Sequence, residues 1–342
     1  MLISVRIEKN GFLFSEFANT FKKMGSKSTF GSTRNCFATS YVFRLYFTYC
    51  ALGKSQGQYT IANEHLLDKI IEHSGIRPSD TVLELGSGTG ALSARLARVA
   101  RKVYMCESDP VLARECVSRV SGEGFTNTEL IEGDATRVFF PRFDVCVSNL
   151  PYSLSAPIIF KLVEHRPRWR SSLLILQREF VDALIADPGE RNYSRLSMNA
   201  SLYIRSERVM RINGGMFFPV PPVESALVLL TPRFPAPPID FAEFDALVRL
   251  CFLDKKRMIR NIFDRPTLMK EMERDYKEYC HRNKKYIDIR PFPKYLNHLI
   301  ENSNLGDACA RKLPPEAMQH LLECFHAGGI YFTNNSTSTG YG

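Results

Sequence analysis

Thr81-Val-Leu-Glu-Leu-Gly-Ser-Gly-Thr-Gly90 is the stretch on which the fold turns. Thr81 to Leu85 reads as a strand, short and apolar with a β-branched start. Three alternating glycines follow, and Gly90 to Ala100 reads as a helix. Glycine permits the tight turn and the close approach of backbone to a ligand. The helix start adds free N–H groups. Strand, glycine loop and helix together form a nucleotide-binding unit of moderate specificity. Glu84-Leu-Gly-Ser-Gly-Thr-Gly90 lacks the Lys-[Ser/Thr] ending of a phosphate loop. A nucleoside without a pyrophosphate fits, and S-adenosylmethionine is one; on the loop alone NAD stays open. The backbone of Gly86, Ser87 and Gly88 would line that ligand.

Outward from the loop the signals alternate. Asn63 to Gly75 reads as a helix, capped by Asn63 and ended by Gly75. Lys102 to Glu107, Thr128 to Glu132, Phe143 to Ser148 and Ser171 to Gln177 read as strands. Pro110 to Val120 and Ala156 to Glu164 read as helices between them. That order predicts an α/β, Rossmann-like fold with a parallel sheet covered on both faces. Glu224 to Leu230 reads as a last strand of the same sheet. The proline-rich run Pro232 to Pro238 reads as a linker, and the spacing beyond it is helical to about Phe325. The expected division is a catalytic domain at 55–232 and a small α-helical C-terminal domain at 239–332. The polar tail 333–342 is expected to be disordered.

Two acids fall at strand ends in this order. Glu107 lies about 20 residues beyond the loop, the spacing at which a carboxylate reaches ribose hydroxyls. Asp134 follows the next strand and could accept a hydrogen bond from an adenine amino group, although Gly133-Asp134 also suits a plain turn.

Asn149-Leu-Pro-Tyr152 carries the chemistry. An exocyclic aromatic amine is a poor nucleophile because its lone pair is delocalised into the ring. Two acceptors on its N–H bonds favour a pyramidal nitrogen. The Asn149 side-chain oxygen and the Leu150 carbonyl can supply them. Pro151 holds Leu150 extended and so aims that carbonyl. Tyr152 offers a face for the base. The rate would come from orientation and preorganised electrostatics, with no metal and no covalent nucleophile. Phe217, set before a rigid proline run, either closes the pocket as a second aromatic or is a buried loop phenylalanine; the sequence weighs these equally.

Among 342 residues the net charge is +9, which suits a polyanionic partner as well as it suits solubility. No run approaches the ~20 apolar residues of a membrane span, so no membrane is expected. The nine cysteines include no C-x-x-C pair and read as reduced core residues. Residues 1–54 carry eight Lys and Arg, from Arg6 to Lys54, against Glu8 and Glu16. Such a leader fits a mitochondrial transit peptide, a disordered basic arm for RNA, or a true start at Met24. The compartment follows that choice: nucleolus, nucleus or cytoplasm, or the mitochondrion with a transit peptide.

With these residues in place the chain resembles the ribosomal RNA adenine dimethyltransferases, in particular their eukaryotic and archaeal branch. The resemblance runs from about Gly53 to Phe332. It includes Gly57-Gln-Tyr59, Glu84 to Gly90, Cys106-Glu107, Gly133-Asp134, Asn149 to Tyr152 and Leu176-Gln-Arg-Glu-Phe180. It continues through Tyr193-Ser-Arg-Leu-Ser197, Phe217 to Ser225, Pro237-Pro-Ile-Asp-Phe241 and Gly329-Ile-Tyr-Phe332. It implies an S-adenosylmethionine-dependent enzyme that dimethylates two neighbouring adenines in a stem-loop near the 3′ end of small-subunit rRNA. It implies cofactor contacts at Tyr59, Ile61, Gly86, Glu107, Asp134 and Asn149, and a target pocket of Asn149, Leu150, Tyr152 and Phe217. The chain departs at Tyr59-Thr60, where the family often has His or Asn and a different neighbour. The expected partner is small-subunit rRNA within preribosomal particles, met by a monomer.

Lys255, Lys256, Arg257 and Arg260 are the expected RNA grip in the C-terminal region, and Arg166, Arg168 and Arg170 flank Trp169 as a second cluster. Two rival readings remain: a noncatalytic assembly or mitochondrial transcription factor that keeps the fold, and an adenine methyltransferase acting on another RNA or on DNA.

Overall fold

The structure is a computed structural model and describes residues 59–332. The basic leader, Gly57-Gln58 and the tail 333–342 lie outside the described residues. Strand β1 (Thr60–Ile61) leads to helix α1 (Glu64–Ser74). The Asn63 side chain accepts from Leu66 N, and Gly75 ends the helix at φ 60°, as the two signals predict. Then come β2 (Thr81–Leu85), α2 (Ala91–Val99), β3 (Lys102–Glu107), α3 (Pro110–Gly122) and β4 (Thr128–Glu132). Next are β5 (Val145–Asn149), α4 (Ser155–Glu164), β6 (Ser171–Gln177), α5 (Arg178–Leu184) and α6 (Arg195–Tyr203). Strands β7 (Ile204–Ile212), β8 (Phe217–Phe218) and β9 (Ser225–Pro232) follow. Helices α7 (Phe241–Phe252), α8 (Ile259–Phe263), α9 (Pro266–Arg282), α10 (Phe292–Asn302) and α11 (Pro315–Ala327) complete the described chain.

The main sheet runs β4-β3-β2-β5-β6-β9-β7. Its first five strands are parallel, whereas β9 is antiparallel to both β6 and β7. The expectation of a parallel sheet holds for the first five strands and is corrected at this edge: the expected last strand β9 runs antiparallel between β6 and β7, and β7 is a strand that the sequence reading did not contain. Side chains alternate faces along a strand, and the two apolar clusters divide accordingly. Val82, Val145, Val147, Leu173, Ile175 and Leu227 lie in one with Leu66, Ile70, Leu96 and Cys116, so α1 to α3 cover that face. Leu83, Cys146, Leu174, Leu176 and Val228 lie in the other with Ile158, Leu162, Val181, Met198, Phe244, Leu321 and Phe325. That second cluster continues without a break across the proline-rich stretch into α7 to α11. Arg195 reinforces the join with a two-point ion pair from α6 to Asp245 of α7, where Asn199 Nδ2 also donates.

Order β3-β2-β5 reverses the direction in which the chain fills the sheet. Ligands of doubly wound sheets bind outside the carboxyl ends of the strands at such a reversal. The β2 and β5 ends bear the glycine loop and Asn149-Leu-Pro-Tyr152 respectively.

Candidate active site

Gly86 and Gly90 show why the loop needs glycine. Gly86 stands at φ 70°, and a Cβ there would lie 3.5 Å from Pro151 Cδ and 3.8 Å from the Asn149 carbonyl. The loop therefore lies directly against Asn149-Leu-Pro-Tyr152. Gly90 stands at φ 80°, and its Cβ would meet Cys116 of α3 at 3.0 to 3.2 Å. The end of β3 holds the loop from the other side. Cys106 O accepts from Gly86 N at 2.8 Å and from Ser87 N at 3.1 Å. Glu107 Oε2 accepts from Gly88 N at 2.8 Å, while its Oε1 takes Ser108 N at 2.8 Å and Asp109 N at 3.0 Å. A carboxylate oxygen has room for two donors, so Oε2 keeps an acceptor position for a ribose hydroxyl.

Glu84 lies buried beneath the loop, where Ser93 Oγ donates to it. Burial pushes its carboxyl up to about 8, opposed by the Ser93 bond and aided by the charge of Glu107. The Ser87 hydroxyl is buried and makes no full hydrogen bond among the described residues; the Cys116 thiol is its one weak partner. Burial, and then the charge of Glu107, push the Cys106 thiol up to about 12, so no reactive thiolate stands at the site.

Asp134 sits past β4, tied to the same strand ends because Gly133 N donates to Glu107 O at 2.8 Å. Its Oδ1 accepts from Thr136 N and Thr136 Oγ1, both at 2.8 Å, and these bonds hold the carboxyl below its usual range. Lys161 of α4 closes the loop, its Nζ donating to Ala135 O at 2.7 Å and to Val138 O. Among the described residues the second Asp134 oxygen meets only Arg137, at 3.7 Å, and stays available to a ligand amine.

Asn149 ends β5, and its Nδ2 donates to Tyr59 O at 2.6 Å. That bond orients the amide: nitrogen toward Tyr59, Oδ1 left as the acceptor. Pro151 has ψ 134° and starts the short turn Tyr152–Leu154. No turn or loop hydrogen bond among the described residues ends on the Leu150 carbonyl. The Tyr152 ring lies 5.2 Å from the Tyr59 ring, and its hydroxyl is 2.9 Å from Ser225 Oγ. Burial raises the Tyr152 phenol, and the Ser225 bond opposes the rise. Phe217 faces Ile61 across the β1–β8 ribbon and is only 3% exposed.

The structure thus brings Tyr59, Ile61, Gly86, Ser87, Gly88, Glu107, Asp134 and Asn149 to Tyr152 together at one end of the sheet, with Phe217 in the core beneath Ile61. The expected RNA grip is elsewhere, on the turn before α8 and the start of that helix. Lys256 and Arg257 are exposed there. Lys255 instead donates to Tyr193 O at 2.6 Å, and Arg260 pairs with Asp307 at 2.7 Å. Arg166 and Arg168 differ from the expectation of an RNA cluster: they donate to the carbonyls of Val163, Glu164 and His165 at the end of α4. Arg170 pairs with Asp80. Orphan carbonyls at a helix end attract cations, and a charge run read without its helix does not show this. Ser225, Lys161 and the buried state of Glu84 were missed as site residues; only Glu84 carried a signal, a lone acid inside an apolar strand.

A glycine loop on β2 and acids after β3 and β4, with acceptor positions left on Glu107 and Asp134, fit a nucleoside cofactor. With the mostly parallel seven-stranded sheet they define a Rossmann-like S-adenosylmethionine-dependent methyltransferase. Residues 52–291 match the family model described as ribosomal RNA adenine dimethylase. The chain is 38% identical over 284 residues to a probable dimethyladenosine transferase of Caenorhabditis elegans, covering 81% of this chain and 91% of the relative. It is 37% identical over 281 residues to the dimethyladenosine transferase of Schizosaccharomyces pombe, covering 82% and 92%. A crystal structure of a dimethyladenosine transferase from Plasmodium falciparum superposes with a TM-score of 0.76 at 37% identity, covering 80% of this chain and 99% of that one. The chain belongs to the ribosomal RNA adenine dimethyltransferase family, and S-adenosylmethionine is its cofactor.

Proposed function

We propose that the enzyme methylates N6 of two adjacent adenines in the 3′-terminal stem-loop of small-subunit rRNA, giving N6,N6-dimethyladenosines during ribosome biogenesis. When bound, S-adenosylmethionine supplies an electrophilic methyl group on a sulfonium. The backbone of Gly86 to Gly88 and the Glu107 and Asp134 carboxylates hold it at the β2, β3 and β4 ends. Asn149 Oδ1 and the Leu150 carbonyl accept the two N–H bonds of the target amine and turn its lone pair out of the ring plane. Tyr152 supports the flipped base. Phe217, under Ile61, backs the ribbon that carries Tyr59. Asn149 is no base, so the amine proton leaves to water.

The observation that carries this reading is the Asn149 Nδ2 to Tyr59 O bond, 2.6 Å long, which leaves the amide oxygen as the free acceptor beside the glycine loop. The exposed cations Lys256 and Arg257 are placed to take phosphates, within preribosomal particles and by a monomer. The leader decides between a nucleolar or cytoplasmic site of action and an organellar one. Incubation with labelled S-adenosylmethionine and immature small subunits, then mapping of modified nucleosides, tests the assignment. Label in two adjacent dimethyladenosines near the 3′ end is expected; label confined to other RNA or to DNA contradicts it.

A further inference from the structure

The segment between α9 and α10 reads Lys284-Lys-Tyr-Ile-Asp-Ile-Arg290. Tyr286 and Ile289 are each 100% exposed. The segment is nonetheless anchored. Asp288 N donates to the Tyr276 hydroxyl at 3.1 Å, and the Asp288 carboxylate is forked by Arg290 at 2.8 and 2.7 Å. Asp288 is the segment's one acid, and Arg290 neutralises it, so Lys284 and Lys285 stand as uncompensated positive charge.

Beside the segment runs a row of rings. Lys285 Nζ lies 2.9 Å from the Tyr279 hydroxyl and 5.0 Å from its ring centre. The Tyr279 and Tyr331 rings are 4.7 Å apart, and Tyr331 stacks on His326 at 4.7 Å. None of these residues belongs to the methyl-transfer site. A flat aromatic face beside ammonium groups matches an unpaired base and its flanking phosphates. A protein-docking face would instead place its bare apolar groups away from unpaired charge.

We propose that the bare ring of Tyr286, next to Lys284 and Lys285, is a second RNA contact, a platform on which an unpaired base stacks while the two lysines take the adjacent phosphates. The proposal rests on rRNA as substrate and adds where, besides the catalytic cleft, a single-stranded part of it is held. Tyr286 is bare, so its replacement leaves the fold intact.

The test uses the full chain and fluorescence anisotropy with a labelled ten-nucleotide oligoadenylate and a blunt duplex of equal length. Stacking of one base predicts that Tyr286→Ala weakens the single strand by at least about fivefold and leaves the duplex little changed. Tyr286→Trp restores binding, and Tyr286→Leu does not. Lys284→Ala lowers the salt slope by about one. Ile289→Ala binds as wild type. Tyr286→Ala within twofold of wild type overturns the platform, and so does an equal loss in Ile289→Ala, which would mark an apolar face for a protein. Methylation of immature small subunits by the wild-type chain is measured alongside. Its failure refutes the proposed substrate, whereas unchanged binding by Tyr286→Ala with normal methylation refutes the platform alone.

Discussion

Ser225→Ala removes a hydroxyl that is fully buried and 2.9 Å from the Tyr152 hydroxyl. The pair is neutral, so its net contribution to stability is about 0.5–1.5 kcal/mol. The single change costs more than that net value, about 1–3 kcal/mol, because the half-buried Tyr152 hydroxyl loses its partner. Tyr152→Phe leaves the Ser225 hydroxyl buried and unpaired at a similar cost. The double variant removes both orphans, so it falls well short of the sum of the singles, and the coupling is of the order of 1 kcal/mol. Catalysis follows the same logic. The ring is held by Tyr59 on one side and Ser225 at its tip. Freeing the tip lets the stacking face drift, and a shift of about 1 Å at a reacting centre costs up to about a hundredfold in rate. We expect kcat to fall about tenfold in Ser225→Ala with the KM for cofactor unchanged, because the hydroxyl touches Tyr152 and no cofactor-holding residue. Urea unfolding of the four proteins gives the stability cycle, and single-turnover methyl transfer gives the rate cycle. Strict additivity in both would refute the positioning of Tyr152 by Ser225.

Two further outcomes follow from the loop. Gly90→Ala combines φ 80° with a Cβ 3.0 Å from Cys116 Sγ and 3.1 to 3.2 Å from its backbone, and should destabilise by at least about 1–2 kcal/mol; an unchanged urea midpoint would contradict the close packing of loop and α3. Glu84, pushed up to about 8 by burial, binds a proton in the folded chain that the unfolded chain releases near its ordinary 4.5. Its contribution is therefore full below about 4.5 and declines as pH rises toward 8, by up to about 1.4 kcal/mol per pH unit. Glu84→Gln should flatten that fall, and an identical slope in the variant would show that Glu84 is not its source.

Much of the architecture was legible from short β-rich runs set between helical ones, the central strand Ser171–Gln177 buried along most of its length and the edge strand Thr128–Glu132 only partly. Lys102–Glu107, Thr128–Glu132 and Ser171–Gln177 agree with the sequence reading to the residue. Strand β7 was not legible. Its Arg205, Ser206, Glu207, Arg208 and Arg211 give no apolar alternation, since an edge strand needs only one neighbour and one covered face. Asn149-Leu-Pro-Tyr152 could be read because its four functions are adjacent in the chain. Ser225, Lys161 and the Tyr59 carbonyl could not, since each reaches the site only through folding, 73 residues from Tyr152 in the case of Ser225. Lys255 and Arg260 show the limit for charges: a sequence displays a cation but not the carbonyl or carboxylate that already holds it.

The orientation of the Asn149 amide is tested most directly by Asn149→Ala, assayed for methyl transfer to immature small subunits and, in parallel, for RNA binding. Removal of one preorganised polar contact to the reacting group predicts a loss of about a hundredfold or more in rate, with RNA affinity kept. Turnover at the wild-type rate would contradict the assignment of Asn149 Oδ1 as an acceptor for the target amine.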